Sequence, residues 1–404
     1  MVTADAAGFN AAAGNASAAA GDGDGASGGT SAAGGTTGGA TAAAGDDGSG
    51  VGSGGTGVSA TAAVGIGSVD GLGSVIVNGV RYDTDSAQFI VQDTSELLLG
   101  MSVKVSGTVN SDPKTGAATR VESAADMRGP VSTVDLAGGT FTLLGTTVST
   151  DPETVWADSG GLSGIASGST VQVWGLPAAP GMLRATRVAQ VAPSAAPVVT
   201  GTVQNLDVAS RVFSLGQLQV RYSATTPLAD GIVVRVRAGG WDGTSVLNAS
   251  TIENWYAVPQ VSGTRVDLNG LITNYAGLAT FRVLGTPVDA TGVQITGGQG
   301  ANVGNGVKVE VGGFLVDGVV RATKLKIRHI PGTGGPSSFT LIGPVSAFAG
   351  PASFRVRGQP IDASRPGVVF GNGSAAVLGN GARVTVAGSQ VLNGVLLADT
   401  VTFD

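Results

Sequence analysis

The side chains able to do chemistry are few, and their spacing does not bring them together. The one histidine, His329, sits in KIRHIPGTGG, where a strand end meets a Gly/Pro linker. Base or metal work there would need partners that its neighbours do not supply, so it reads as an exposed boundary residue. Glu96, Glu122, Glu153, Glu253 and Glu310 are scattered at unmatched positions, whereas glycosidase chemistry needs two facing carboxylates. DTDS at 83–86 and GDGDG at 21–25 lack the twelve-residue ligand spacing of a calcium loop. The glycine-rich runs 297–306 and 371–381 have no helix behind them to cradle a phosphate. No Gly-x-Ser-x-Gly elbow is joined to a usable histidine, and with no cysteine there is neither a thiol nucleophile nor a zinc-thiolate site. The pattern predicts no enzyme and no cofactor. What remains are the aromatic residues Trp174, Trp241, Trp255 and Tyr256, because exposed rings can stack a sugar or a base.

Composition narrows the partners. Among 404 residues there are 68 glycines, 12% charged residues and a formal net charge of −6. Lys and Arg are sparse and scattered, which disfavours nucleic acid, since phosphate contacts supply most of the affinity of such binders. No run of about 18 apolar residues is present, so no transmembrane helix is expected. A basic segment followed by an apolar one is missing at the start. Export is therefore expected only if a signal is missing from the sequence.

Residues 1–63 form a Gly/Ala/Ser/Thr tract with almost nothing to bury, and read as a disordered tether. Beyond it the chain repeats. Openings of the form Gly-x-Val or Gly-x-Ile occur at Gly67, Gly129, Gly201, Gly270 and Gly343, at intervals of 62 to 73 residues. Most are followed by an alternating phrase with a tight turn, such as FTLLGTTV (Phe141 to Val148) and FRVLGTPV (Phe281 to Val288). Next comes Gly-x-x-Val-x-Val-x-Gly, in GMSVKVSG at 100, GSTVQVWG at 168, GVKVEVGG at 306 and GARVTVAG at 381, and last Ala-x-x-Val or a variant. Apolar residues at every second position place one row of side chains on one sheet face. The last glycine of the long phrase predicts a bulge or bend. In the third unit GIVVRVRAGG departs from the phrase, and an altered bulge is expected there.

About five short strands per unit and no sizeable helix predict an all-β chain: a tandem array of about five small OB-like antiparallel barrels, whose closure removes exposed edges. The units are placed at 64–125, 126–195, 196–260, 261–334 and 335–404. A right-handed β-solenoid is the alternative, and the long period argues against it if its coils repeat every 20 to 30 residues. In a barrel, Trp174 should face outward if Val171 and Val173 face inward; the competing reading has the four aromatic rings capping barrel ends or filling gaps between units.

The ordered phrases resemble repeat domains known only as a domain of unknown function, found in several copies in bacterial exported proteins and surface lipoproteins. The resemblance implies small OB-like barrels on a tether and supplies no catalytic residues; the missing cysteine leaves a lipid anchor without its attachment point. The expected role is a non-enzymatic spacer or binding scaffold of the cell envelope or exterior, facing an envelope protein or a glycan, with self-association open to it. The alternative is an array of carbohydrate-binding modules that uses exposed aromatics.

Overall fold

The computed structural model describes residues 60–223, 225–243, 245–329 and 339–404. The tether expected over 1–63 lies outside them up to residue 59. From Gly57 to Asp404 the chain is one compact unit. It is built of strands, with three short 3-10 turns at Leu162–Gly164, Gly300–Asn302 and Ala375–Val377 among the described residues.

Each repeat is one coil, and the fifth shows the plan. Phe339–Gly350 enters a hairpin of Ser353–Val356 and Gln359–Asp362, followed by short Val369–Gly371 and the antiparallel pair Arg383–Leu392 and Val395–Phe403. The hairpin turns on Arg357 and Gly358 with φ of 53° and 81°, as the first coil turns on Asn78 and Gly79 at 59° and 74°. Two successive positive φ values are what a two-residue turn needs to match the strand twist. The closing glycine of Gly-x-x-Val-x-Val-x-Gly has a different reason. A Cβ at Gly107, Gly313 or Gly388 would lie 2.1, 2.2 or 2.3 Å from a carbonyl oxygen of the partner strand. The ladder shifts register at each of these glycines, so the strand bends where only glycine fits. In the third coil Ala238 stands at the corresponding shift.

The coils do not close into separate OB-like barrels; they stack as a β-solenoid. Thr61–Ser68 pairs antiparallel with Ser102–Val109 of its own coil and, along its other edge, parallel with Arg265–Gly277 of the fourth. Gly71–Leu72 lies parallel to Phe339–Gly350 of the fifth coil, and Val198 of the third pairs with Arg128 of the second. The first, fourth and fifth coils thereby share a 19-stranded sheet, and the second and third an 11-stranded one. Edges that separate barrels would remove by closure are removed here by the next coil. The long period follows from coils that each carry a hairpin and a return pair, rather than single strands and turns.

The cores follow the sheets. Instead of five, the described residues form three: one shared by the first and fifth coils, one centred on the fourth, and one shared by the second and third. Small residues make the approach possible. A Cβ at Gly67 would come within 2.5 Å of Asn78 Oδ1 and 2.9 Å of Cβ of Asn269 in the fourth coil.

Candidate functional site

The strand Thr170–Pro177 is buried along its whole length, and it decides what the aromatic residues do. Val171 and Val173 enter the core of the second and third coils. Trp174 lies on the other side, as alternation requires, but that side is covered. Its ring is 2% exposed and sits in the core of the first and fifth coils, while Leu176, past a register shift at Gly175, enters the core of the fourth. The outward face of a strand is therefore not a solvent face here. Trp174 is an inter-coil residue, and the outward, exposed ring expected of a barrel is not found.

Trp255 and Tyr256 are also buried, packed edge to face at 4.8 Å. They flank an ion pair fully enclosed between coils. Asp126 accepts from Arg235 Nη2 at 2.8 Å, Tyr256 OH at 2.7 Å, the Gly175 amide at 2.9 Å and the Ser102 hydroxyl. Arg235 lies over the Trp255 ring at 4.4 Å, and Lys104 donates to the Trp255 carbonyl at 2.8 Å. Residues of the first, second and third coils meet at one carboxylate. Burial and the Asp126 charge push the Tyr256 hydroxyl well above its ordinary value, so it acts as a donor and not as an acid. Next to it, Asp93 takes Arg128 and Arg237 at 3.0 and 2.7 Å. Burial works to raise the Asp93 carboxyl, but hydrogen bonding and charge from Arg237, with the Ala125 amide and Arg128, hold it below the usual range. Trp241, the fourth aromatic candidate, is half-buried against the core of the second and third coils.

A second charged junction joins the first, second and fourth coils. Lys308 donates to Glu153 at 2.6 Å, Arg184 pairs with Asp151, and Ser68 Oγ donates to Asp70 at 3.2 Å. His329 is 6% exposed beside them, opposite Lys308 in the ladder, and not the exposed boundary residue that its linker flank suggested. The reason is that its end of the strand is covered by the second coil, whose Glu153 takes Lys308. Burial, reinforced by Arg184, lowers the histidine from its ordinary value. Burial raises Asp70 to about 6, opposed by Lys308 and Arg328.

These shifts have opposite signs in stability. The folded chain takes up a proton on Asp70 before the unfolded chain does, so this residue adds stability as pH falls from 7 through 6. His329 does the reverse, losing stability below about 6.5 as the unfolded chain protonates first. Asp70→Asn separates them: the urea-unfolding free energy of the natural chain relative to this variant should rise by roughly 1 kcal/mol between pH 7 and pH 5. An unchanged difference would place Asp70 in water.

The surface carries a groove of about 340 Å³ between the second, third and fourth coils, with Pro177, Val203 and Val233 on its floor. Its walls carry Gln204, Asn205, Asp230, Asn274 and Arg282. A neighbouring hollow of about 170 Å³ shares Val233 and Gly285 with it. A third cleft, about 390 Å³, lies between the first and fifth coils beside Phe89, which is 46% exposed. Among the described residues no group of three or more His, Asp or Glu side chains is placed to hold a metal, and no helix is long and apolar enough to cross a membrane.

Residues 66–122, 128–189, 269–326 and 342–402, more than half of the chain, match the model of one family, Domain of unknown function (DUF5666). The chain belongs to this family. Its four matches fall on the first, second, fourth and fifth coils, and the third coil lies between them unmatched. That coil is the one with Ala238 at the bend, and it supplies Arg235, Trp255 and Tyr256 to the central junction. A search of the curated proteins found no match.

Sequence reasoning missed Asp126, Arg235, Asp70 and the groove asparagines. The first three carry no local signal of a charged site, because Arg235 and Asp126 lie 109 residues apart and the cations that act on Asp70, Lys308 and Arg328, belong to the fourth coil. The asparagines do carry one: Asn205 and Asn274 each stand four residues after a unit-opening glycine, Gly201 and Gly270.

Proposed function

We propose that the chain is a non-enzymatic scaffold of the bacterial envelope or cell exterior, a stiff stack of coils that presents its surface grooves to an envelope protein or a glycan. The observation that supports it best is where the polar and aromatic side chains go. The Asp126 and Asp70 junctions hold charged groups between coils, bonded to one another and to backbone, rather than open to a substrate. Such buried networks hold neighbouring elements in one arrangement. The resemblance of the ordered phrases to repeats of exported proteins and surface lipoproteins is what supports an envelope or exterior location.

The version of the glycan reading that stacks sugars on Trp174, Trp255 and Tyr256 is not favoured, because those rings are covered by coils. The groove between the third and fourth coils favours a different version, taken up below. The location is tested by fractionating the producing cells with an antibody to the folded body. The chain should appear with the envelope or in the medium; recovery with the cytoplasmic proteins would overturn the proposal.

A further inference from the structure

We infer that the groove between the third and fourth coils binds a short neutral oligosaccharide, held by Asn205 and Asn274. Both asparagines have left-handed backbone, φ of 52° and 51°. Each sits inside a register shift, between Gln204 and Asp207 in one coil and between Thr273 and Gly277 in the next. Asn is among the few residues that accept this conformation readily, and a bulge re-aims a side chain away from its ladder. Two equivalent bulges from adjacent coils thus deliver two amides into one groove. The fifth coil has Ala347 in the same conformation, φ 48°, so the pair of amides is particular to this groove.

The lining fits a polyol better than an ion. The Gln204, Asn205 and Asn274 side chains make no hydrogen bond to other described residues, and all are at least partly exposed. Each amide offers both donors and an acceptor, which is what adjacent hydroxyls on a sugar ring require. The two charges cancel. Asp230 uses Oδ1 to accept from the Leu206 amide at 3.0 Å, and Arg282 uses Nη1 to donate to the Gly285 carbonyl at 2.6 Å. With one acid and one base in the lining, neither an anion nor a cation meets a net opposite charge there. Pro177, Val203 and Val233 give the C–H face of a sugar an apolar floor, and the volume lies within the roughly 300–1,000 Å³ of small-ligand pockets. No aromatic ring lines the groove, so base stacking is not on offer there.

The inference deepens the scaffold reading and rests on it for the fixed spacing of the two coils. It is tested by titrating the full-length chain with cellobiose, maltose and N,N′-diacetylchitobiose, and with glucose 6-phosphate as an anionic comparison, while following the side-chain amide signals of Asn205 and Asn274 by NMR. At least one neutral disaccharide should shift both signals saturably. The variant Asn205→Gly with Asn274→Gly keeps the backbone conformation and should bind at least tenfold more weakly, with its unfolding midpoint little changed. No saturable shift with any of the three, undiminished binding by the double variant, or preference for the phosphate would overturn it. Failure of the scaffold reading would appear elsewhere, as coils that unfold separately.

Discussion

Replacing Arg235 with methionine should lower the unfolding free energy by about 3–5 kcal/mol, the usual cost of leaving one member of a buried ion pair without the other. The two side chains are fully enclosed, 0% exposed on both sides of a 2.8 Å contact. Asp126 would keep Ser102, Tyr256 and the Gly175 amide as donors, but its negative charge would lose its one cationic hydrogen-bond partner among the described residues. Methionine fills much of the space under the Trp255 ring, which limits the packing loss. The double change Asp126→Asn with Arg235→Met should therefore recover most of the loss, since it removes the uncompensated buried charge and leaves a carbonyl oxygen for the remaining donors. Urea unfolding of the two variants beside the natural chain checks this. If Arg235→Met costs less than about 1 kcal/mol, the range of an exposed pair, the junction is open to water.

Trp174→Ala should cost about 3–5 kcal/mol, as large aromatic truncations in cores do. Packing carries almost all of this loss, because the indole nitrogen has no hydrogen-bond partner among the described residues and Arg187 stands 6.0 Å from the ring. The effect also reports on architecture. On a free-standing barrel the ring would face solvent, and its loss would stay within about 0.5 kcal/mol. In the stack it fills the core of the first and fifth coils from a strand of the second. A midpoint shift that spans the whole transition is the expected reading in urea.

Much of the fold is legible in the sequence. The five openings, the two-valine strand and its closing glycine locate the strands, the hairpin turns and the bends, because each rests on local geometry that a few residues dictate. Val171 and Val173 fall on one face and Trp174 on the other, as a period of two requires. What alternation does not encode is what covers the second face. The residue between the two valines is Lys104, Gln172, Arg235, Glu310 and Thr385 in successive coils, a series that reads as solvent-facing. In the stack Arg235 and Glu310 are buried instead, Arg235 against Asp126 of the second coil and Glu310 against Lys324 of the neighbouring strand in its own coil. Complementarity of that kind depends on which coils meet, and the first coil meets the fourth and fifth rather than only its neighbour in sequence. Trp174 fills a gap between coils, and His329 is buried beside one although its flanks read as an exposed linker.

The claim that the coils fold as one body meets its most direct test in urea unfolding followed by two probes. All four tryptophans, Trp156, Trp174, Trp241 and Trp255, lie in the second and third coils, and the first, fourth and fifth have none. Tryptophan fluorescence therefore follows rings carried by two coils, whereas far-ultraviolet circular dichroism reports on the strands of all five. Shared sheets and cores predict that the two curves coincide in a single transition. A fluorescence curve displaced from the dichroism curve, or a dichroism curve with several steps, would contradict the stack and return the chain to independent units.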